Sequence, residues 1–472
     1  MAVQYDFGMI GLGVMGSNLL LNLADHRFNV IGFDVKPERT RALEQAAKEG
    51  TVVKGINSLP EMVLALKKPR KIMMLVPAGQ PVDDVIASLL PYLEEGDIVI
   101  DGGNSYFKDT LHRINYLQDK GIHFMGMGVS GGELGARLGP SMMPGGDQEA
   151  YGYLRPLLEA VAAKANDVPC VAYMGNGAAG HYVKMVHNGI EYAMMQMISE
   201  VYDVLKRGAG FTNEELYTTF KQWNKGPLQS FLINITAEIF KTQDADAPQG
   251  EYLVDKILDQ AGSKGTGKWT SQEAMDLPVS IPTIDMAVAL RDLSVYKAER
   301  VQAAKIYQPK RAKIAMQSQQ LVAELEQALL AGFVMAYAQG LSMLAKASEV
   351  RDMQIPLPAV VQVWKAGCII RSALLETFEK AYAKEATLPN LLLDADVAAL
   401  LQQAEPSLRT VVAAAIQAKV PVAGLGSALA YLDAYSSDRL PTNLIQAQRD
   451  YFGAHTYQRL DKEGVFHTEW HQ

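Results

Sequence analysis

The chain changes character near residue 179, where short apolar runs give way to helical periodicity. Before that point, apolar runs of strand length are bounded by turn residues and separated by helix-like stretches; they lie at residues 5–10, 30–33, 71–76, 97–101 and 122–125. This alternation is typical of a parallel sheet with helices on both faces. We therefore expect an α/β domain at residues 1–178.

Beyond residue 179, strand signals nearly vanish. Segments with apolar residues at helical spacing lie near residues 180–205, 212–225, 228–240, 252–260, 311–348 and 358–384, which predicts an all-helical domain at residues 179–435. After about Tyr435 the composition shifts to polar and aromatic residues, too few of them apolar for an independent core. Residues 436–472 are therefore predicted to form a tail that docks onto another chain.

The first predicted strand leads into a glycine-rich turn that opens an apolar helix. In its GxGxxG spacing, Gly11 permits the tight turn, Gly13 admits a pyrophosphate to the backbone, and Gly16 lets helix and strand pack closely. The helix N-terminus adds amide donors and a positive dipole end. A second strand ends at Asp34, 18 residues after Gly16, where an acid reads a ribose. We interpret this as a Rossmann-type dinucleotide domain; the alternative is a packing turn in an unrelated α/β domain.

Asp34 also bears on the choice between NAD and NADP. A carboxylate accepts hydrogen bonds from ribose hydroxyls and repels a 2′-phosphate, so this residue favours NAD. Lys36 and Arg39 are close enough in sequence to reach a 2′-phosphate if the loop curls back. Both cofactors therefore stay open at this point.

Three further loops are candidates for ligand contact. Residues 76–79 and 101–105 follow predicted strands, at the edge where parallel sheets bind ligands. Asn104 is a candidate for the nicotinamide side, although its DGGNS segment could equally be a turn and a helix cap. The small residues at 128–132 have amides that can wrap a carboxylate or phosphate. The predicted cofactor contacts are Gly11, Gly13, Val14, Met15, Gly16, Asp34, Val76 and Asn104.

Four polar residues share one face of the mostly apolar segment 180–205. Lys184, His187, Asn188 and Glu191 are spaced i, i+3, i+4 and i+7, inside a stripe of roughly 100°. An ammonium, an imidazole, an amide and a carboxylate in an apolar helix are costly unless paired or used. The pattern predicts an acid and base pair in Lys184 and Glu191; the alternative is an internal salt bridge with a core histidine.

Composition excludes several classes of function. The formal net charge of −8 disfavours a general nucleic-acid binder. We expect no membrane span, because we find no apolar run of roughly 20 residues, and no signal peptide, so a cytoplasmic location is expected. Cys170 and Cys368 look like reduced packing residues, and no metal-ligand spacing is visible.

Four separated motifs resemble the 6-phosphogluconate dehydrogenase family, decarboxylating members of the β-hydroxyacid dehydrogenases. They are VSGGELGARLGPSMMPGG (129–146), GHYVKMVHNGIEY (180–192), AGSKGTGKWT (261–270) and AQRDYFGAHTY (447–457), and the likeness covers essentially the whole chain. The resemblance implies a coenzyme domain, a large all-helical domain, and a C-terminal tail that reaches into the partner subunit of a homodimer. It also implies metal-independent oxidative decarboxylation of 6-phosphogluconate to ribulose 5-phosphate and CO2 in the pentose phosphate pathway.

The resemblance assigns a role to each candidate residue. Lys184 is implied as the base that takes the 3-hydroxyl proton. Glu191 is implied as the acid that protonates the enediol at the carbon that becomes C1 of ribulose 5-phosphate. Burial is expected to lower the pKa of the lysine and to raise that of the glutamate. The implied substrate contacts are Asn104, Ser130, Gly131, Gly132, His187, Asn188, Tyr192, Lys264, Thr266 and Arg291, with Arg449 and His455 from the partner's tail.

The segment from Gly262 to Lys268 also has the GxxxxGK spacing of a nucleotide phosphate loop. Trp269 stands where the magnesium-binding Ser or Thr belongs, and no strand precedes the segment, so that interpretation is disfavoured. Arg449 and His455 could, without the resemblance, simply belong to a polar tail.

Two positions depart from the common family pattern and concern the cofactor. Asp34-Val35-Lys36 stands where many members have Asn-Arg-Thr, and Pro77 replaces a common lysine. Two rival functions also remain: a β-hydroxyacid dehydrogenase for a small unphosphorylated acid, and a catalytically silent dinucleotide sensor. The first would have no use for Lys264, Arg291 and Arg449, and the second would have none for Lys184 and Glu191.

Overall fold

The computed structural model describes residues 3–247, 250–310 and 312–470. The outermost residues of the predicted α/β domain and tail, 1–2 and 471–472, and the first residue of the segment predicted at 311–348, lie outside the described residues.

The first part of the chain forms a seven-stranded sheet in the order β3-β2-β1-β4-β5-β6-β7, parallel except for the antiparallel pair β6–β7. The strands are β1 (Phe7–Ile10), β2 (Val30–Phe33), β3 (Val53–Ile56), β4 (Lys71–Met74), β5 (Ile98–Asp101), β6 (His123–Ser130) and β7 (Ser141–Gly145), with a separate small pair β8 (Lys164–Ala165) and β9 (Val168–Pro169). The helices of this part are α1 (Val14–Asp25), α2 (Pro37–Gln45), α3 (Leu59–Leu64), α4 (Gln80–Leu89), α5 (Phe107–Gln118), α6 (Gly132–Leu138) and α7 (Gln148–Val161). Strand order reverses between β1 and β4, which marks the crevice where such sheets bind ligands.

The five predicted strands are all present, but β3 and β7 were not predicted. Both are edge strands, where packing on a core is weakest. β3 has only four residues, none of them fully buried, and includes Lys54 and Gly55. β7 contains Pro144, which cannot donate a ladder hydrogen bond and is tolerated at a sheet edge. Neither strand therefore has the apolar pattern of a central strand.

The rest of the chain is helical. Its helices are α8 (Ala179–Asp203), α9 (Asn213–Trp223), α10 (Phe231–Lys241), α11 (Thr266–Asp276), α12 (Pro282–Val295), α13 (Lys297–Tyr307), α14 (Ser318–Val350), α15 (Leu357–Trp364), α16 (Leu374–Lys384), α17 (Ala395–Gln417), α18 (Ala423–Tyr435) and α19 (Thr442–Gly453). A π-helical segment, Val204–Ala209, extends α8.

Two helix predictions were wrong. At 252–260 only the 3-10 turn Leu253–Asp255 forms, because Leu253, Ile257 and Leu258 are exposed and have no core to cover. The segment 358–384 is two helices, α15 and α16, separated by a connection in which Gly367 has φ +70°. A left-handed residue cannot continue an α-helix.

Helix α14 lies in the core of the helical part. By length and composition it is long and apolar enough to cross a membrane, contrary to the expectation from the sequence, but 89% of its most apolar window is buried inside the fold. The core helix of a soluble protein passes the same test, so this helix is weak evidence for a span.

Helix α8 packs against the sheet with almost no space between the two backbones. A Cβ on Gly180 would lie 2.1 Å from the Gly126 carbonyl oxygen, and one on Gly145 would lie 2.1 Å from the Gly180 nitrogen. Real Cβ atoms essentially never approach so closely. The helix with the four polar residues is therefore fixed directly beside β6 and β7.

The predicted tail contains α19 and the residues that follow it. Asp450 of α19 is fully buried and accepts hydrogen bonds from the backbone nitrogens of Thr456 and Thr468, from His467 Nδ1 and from Trp470 Nε1. These bonds order the tail internally. Its large apolar side chains are nevertheless exposed, among them Leu444, Ile445, Phe452, Leu460 and Val465.

Candidate active site

The glycine-rich turn has the geometry that a pyrophosphate site needs. Gly11 has φ +92°, and a Cβ on Gly16 would lie 1.9 Å from the Gly11 carbonyl oxygen. Gly13 faces open space: apart from its two chain neighbours, no residue of the described chain has a heavy atom within 4 Å of a Cβ placed on it. Val14, the first residue of α1, is 58% exposed, and Met15 is partly buried beside it. The helix N-terminus is therefore accessible to a phosphate.

Asp34 terminates β2 and is tied to the glycine turn. Its Oδ2 accepts from the Leu12 nitrogen at 2.8 Å, its Oδ1 from the Lys36 nitrogen at 2.9 Å, and Arg39 Nη1 lies 3.2 Å away. Burial alone would raise the pKa of Asp34, but these donors hold it below its ordinary value. A charged carboxylate therefore stands where the adenosine ribose would bind.

The loops after β4 and β5 converge on the same crevice. A Cβ on Gly11 would lie 3.3 Å from Val76 Cγ1, and one on Gly103 would lie 3.2 Å from the Val76 carbonyl oxygen. Asp101 accepts from the Gly103 nitrogen at 2.9 Å and from Ser105 at 2.5 Å. These bonds shape the loop that presents Asn104, whose side chain is exposed.

The four polar residues of α8 form one cluster. Lys184 Nζ lies 3.5 Å from His187 Nδ1, which is also 3.0 Å from Asn188 Oδ1 and 3.9 Å from Glu191 Oε2. Asn188 Nδ2 donates to Thr266 Oγ1 at 3.1 Å, which joins α8 to the start of α11. The base and acid predicted from the sequence thus face a common space.

Burial moves the ionisation of this cluster in the direction that the chemistry needs. It lowers the pKa of Lys184, against the opposing attraction of Glu191. It raises the pKa of Glu191, against Lys184 and Arg291. Burial and the neighbouring Lys184 also hold the pKa of His187 well below its ordinary value. A neutral amine and a protonated carboxyl are the forms that serve as base and acid.

The Ser130–Gly132 loop borders the cluster. Ser130 Oγ lies 3.3 Å from His187 Nε2, and Gly131 and Gly132 have φ +125° and +64°. A Cβ on Gly131 would lie 2.5 Å from the carbonyl oxygen of Gly367. Only glycine fits at position 131, where the backbone closes against the helical part of the chain.

The candidate phosphate-binding residues are Thr266, Tyr192, Lys264 and Arg291. The Arg291 guanidinium stacks on the Tyr192 ring, with Cζ 3.6 Å from the centroid, and Nη1 lies 3.4 Å from the Gly262 carbonyl oxygen. Lys264 is exposed on the loop that leads into α11. The structure therefore brings Thr266, Tyr192 and Arg291 close to the cluster, and Lys264 lies two residues before Thr266 in the chain.

Among the contacts of the described residues, neither tail candidate touches the site of its own chain. Arg449 Nη1 contacts Gln446 Oε1 at 3.2 Å, and the His455 ring packs edge-on against Phe452 with centroids 6.0 Å apart. Both contacts are local to the tail.

Several residues of the site were missed in the sequence. Trp364 packs its ring edge-on against His187 at 5.8 Å, and the Ile369 nitrogen donates to Ser130 Oγ over 3.4 Å. Buried, free Cys368 lies between them in the chain. Buried His181 contacts Thr110 Oγ1 through Nδ1 at 2.7 Å. In the sequence, Trp364-Lys-Ala-Gly at 364–367 is similar to Trp-Asn-Lys-Gly at 223–226, but this similarity carries no chemistry by itself.

Comparison with known proteins agrees with these observations. Family models match the chain as the NAD binding domain of 6-phosphogluconate dehydrogenase at residues 6–175 and as the C-terminal domain of 6-phosphogluconate dehydrogenase at residues 180–470. The chain is 48% identical over 470 residues to the decarboxylating 6-phosphogluconate dehydrogenase of Lactococcus lactis subsp. lactis, with 99% of each chain covered. It is also 48% identical over 468 residues to the NADP(+)-dependent, decarboxylating enzyme of Bacillus subtilis, again with 99% of each covered.

A solved structure agrees over the whole fold. The Plasmodium falciparum 6-phosphogluconate dehydrogenase, described in apo form and in complex with NADP+ and with 6-phosphogluconate, has a TM-score of 0.94 at 41% identity. The match covers 98% of this chain and 100% of that one. The predicted order of a Rossmann-type domain and a large helical domain is thereby confirmed. The chain belongs to the 6-phosphogluconate dehydrogenase family.

Proposed function

We propose that this protein catalyses the NAD(P)-dependent oxidative decarboxylation of 6-phospho-D-gluconate to D-ribulose 5-phosphate and CO2. The observation that carries the proposal is the cluster of Lys184, His187 and Glu191 on one buried helix beside β6. The named activity of relatives at 48% identity supports it.

The coenzyme crevice fits a dinucleotide. Gly13 leaves open space above the N-terminus of α1, and the carboxylate of Asp34 stands at the end of β2. These residues would hold the pyrophosphate and the ribose. The chemistry that a nicotinamide supplies when bound is acceptance of a hydride from C3 of the substrate.

Lys184 and Glu191 handle the protons of this reaction. Neutral Lys184 removes the proton of the 3-hydroxyl as the hydride leaves C3, which gives a 3-keto acid. The resulting ammonium polarises that ketone, so that the C1–C2 bond breaks and CO2 departs. The electron pair of the broken bond moves toward the ketone, whose oxygen takes a proton from the ammonium, and an enediol forms. Protonated Glu191 then delivers a proton to the carbon that carried the carboxylate.

The neighbouring groups hold the substrate. Asn188 is placed to bind the hydroxyl beside Lys184, and Ser130, His187 and the glycines at 131 and 132 to bind the carboxylate end. At the other end, Lys264 and Arg291 supply positive charge for the phosphate, with Thr266 and Tyr192 as hydrogen-bond donors.

The tail completes the phosphate site from a second copy of the chain. Arg449 and His455 lie on a tail whose Leu444, Ile445 and Phe452 are more than half exposed. A segment with ordered internal bonds and exposed apolar side chains is typical of one that packs on another chain. A homodimer with exchanged tails therefore accounts for both features.

The protein accepts NAD as its cofactor because the Asp34 carboxylate can bind the ribose hydroxyls of NAD. Its two oxygens retain lone pairs for ribose hydroxyls, and its charge, maintained by the Leu12 and Lys36 amides, repels a 2′-phosphate. Arg39 is already paired with Asp34, which reduces the positive charge available for such a phosphate. The NADP(+)-dependent relative from Bacillus subtilis shows that the family also uses NADP.

The test is an assay of 6-phosphogluconate against gluconate, with detection of CO2 and of reduced cofactor. We expect equal amounts of CO2 and reduced cofactor from 6-phosphogluconate and little turnover of gluconate. Efficient turnover of gluconate would favour a dehydrogenase for unphosphorylated acids, and cofactor binding without turnover would favour a sensor.

A further inference from the structure

The side chain of His187 is held at both ring nitrogens. Nε2 lies 3.3 Å from Ser130 Oγ, and Nδ1 lies 3.0 Å from Asn188 Oδ1. The ring is fully buried and neutral, so one nitrogen carries a proton and the other does not. Because Lys184 Nζ is 3.5 Å from Nδ1, the position of that proton decides what the histidine offers to the lysine.

On the Nε2 side, the hydrogen bonds have a direction. The backbone nitrogen of Ile369 lies 3.4 Å from Ser130 Oγ, and a backbone N–H can only donate. Ser130 therefore accepts from Ile369 and retains its own hydroxyl proton. Among the hydrogen bonds of the described residues, the acceptor available to that proton is His187 Nε2. When the Ser130 hydroxyl donates to Nε2 in this way, Nε2 is unprotonated.

On the Nδ1 side, the ring faces the amide oxygen of Asn188. Asn188 Oδ1 lies 3.0 Å away, within hydrogen-bond distance, whereas Glu191 Oε2 lies 3.9 Å away. The Asn188 amide is oriented by donation from Nδ2 to Thr266 Oγ1 at 3.1 Å, which leaves its oxygen toward the ring. An amide oxygen can only accept, so Nδ1 forms this hydrogen bond only if it carries the proton.

We propose that the connection between α15 and α16 sets the tautomer of His187: the Ile369 amide orients the Ser130 hydroxyl, which holds the imidazole with its proton on Nδ1. Protonated Nδ1 then has no lone pair with which to accept from Lys184, so it offers no hydrogen-bond acceptor to an ammonium 3.5 Å away. Ile369 and Ser130 thus act as positioning residues that favour the base form of Lys184. The inference deepens the proposed function and rests on it for the role of Lys184, whereas the tautomer is a property of the free protein.

The connection between α15 and α16 is held in place by contacts with other elements, which supports such a role. The Gly367 carbonyl oxygen accepts from the Ser141 nitrogen at 3.1 Å, and the Trp364 ring packs edge-on against His187. Farther along, Phe231 donates through its backbone to the Arg371 carbonyl oxygen at 3.1 Å. The Ile369 amide is therefore held against Ser130 by contacts on both sides.

The test is nitrogen NMR of the full-length protein labelled with ¹⁵N-histidine, in which each tautomer gives a distinct pattern of ring nitrogen signals. The His187 signals are assigned by their loss in His187→Asn. We expect a protonated Nδ1 and a bare Nε2 in the wild-type protein. The opposite pattern, a protonated Nε2, would leave a bare Nδ1 that can accept from Lys184, and it would overturn the proposal.

Two buried serines provide matched variants. Ser130 and Ser141 face each other in the β6–β7 register, and each contacts the α15 region, but Ser141 Oγ donates to the Val363 carbonyl oxygen at 2.7 Å. We expect Ser130→Ala to lose the single-tautomer pattern and Ser141→Ala to retain it. An unchanged pattern in Ser130→Ala would also contradict the proposal. An inactive wild-type protein with a protonated Nδ1 would reject the proposed function alone, and an active one with a protonated Nε2 would reject this inference alone.

Discussion

Gly128 of β6 lies directly against Lys184 of α8: a Cβ atom on the glycine would be 2.4 Å from the lysine Cβ and 2.9 Å from its Cγ. The strand therefore fixes the first carbons of the side chain that we propose as the base. Any residue with a Cβ at position 128 must displace the lysine or separate the strand from the helix.

Gly128→Ala is accordingly expected to impair catalysis more than folding. A displacement of about 1 Å in a reacting group reduces the rate on the order of 100-fold, and we expect kcat to fall by roughly that factor. Gly152→Ala is the control, because no heavy atom of the described chain lies within 4 Å of a Cβ there. Equal activities of the two variants would show that the contact does not position Lys184.

Lys184→Arg tests the base. Arginine retains the positive charge but stays protonated, so it cannot remove the 3-hydroxyl proton. We expect kcat to fall by about 10²–10⁴-fold, the usual contribution of general base catalysis, with a smaller change in KM. Lys346→Arg, at an exposed lysine paired with Glu349, is the matched control. A kcat within about twofold of wild type would exclude Lys184 as the base.

The pH dependence follows from the two opposite pKa shifts. Activity requires Lys184 without its proton, so it falls as pH drops through a lysine pKa that burial lowers below 10.5. It also requires Glu191 with its proton, so it falls as pH rises through a carboxyl pKa that burial raises above 4.5. We expect a bell-shaped profile of kcat/KM whose two apparent pKa values belong to the pair.

Glu191→Gln separates the two limbs of that profile. The amide cannot titrate, so the alkaline limb is expected to disappear, together with most of the activity. An alkaline limb that persists unchanged in Glu191→Gln would assign it to another group.

Asp34→Asn tests the cofactor preference. Asparagine retains one oxygen for the Leu12 amide but removes the charge that repels a 2′-phosphate. We expect the ratio of kcat/KM for NADP over NAD to rise by about tenfold, equivalent to about 1.4 kcal/mol. The control is Asp6→Asn, which removes a charge from the same part of the chain at a carboxylate that accepts from the Asn29 nitrogen. A strong preference for NADP in the wild-type protein would contradict the argument.

Tail exchange is testable by complementation. Lys184→Met and Arg449→Met chains are each expected to be nearly inactive alone. If the tail reaches the partner, a mixed dimer has one site with both Lys184 and Arg449 intact, and co-expression with two different affinity tags should recover activity at one of its two sites. If Arg449 served its own chain, the mixed dimer would have no intact site and would stay inactive. Full activity after deletion of residues 436–472 would contradict any role of the tail.

Much of this protein could be predicted because the relevant information is local. The turn at Gly11, Gly13 and Gly16 depends on backbone conformations that only glycine supplies readily, so its spacing alone indicates the site. The shared face of Lys184, His187 and Glu191 follows from 3.6 residues per helical turn. The strand ending at Asp34 is likewise short, apolar and continuous in sequence.

The predictions that were wrong and the contacts that were missed depend on residues that are distant in the chain. The segment 252–260 has helical spacing but no surface to cover, and edge strand β7 is stabilised by pairing with β6 despite Pro144. The Ile369 amide contacts Ser130 across 239 positions, and no side-chain pattern marks a backbone donor.

The sequence by itself thus determined the fold class, the glycine turn and the helix face shared by Lys184, His187, Asn188 and Glu191, because each follows from residue type at fixed local spacing. Only the tertiary structure decided how deeply Lys184 is buried, which strand lies against it and which backbone amide directs its neighbours. Those features arise from packing between elements that are far apart in sequence, where no periodicity relates one partner to the other.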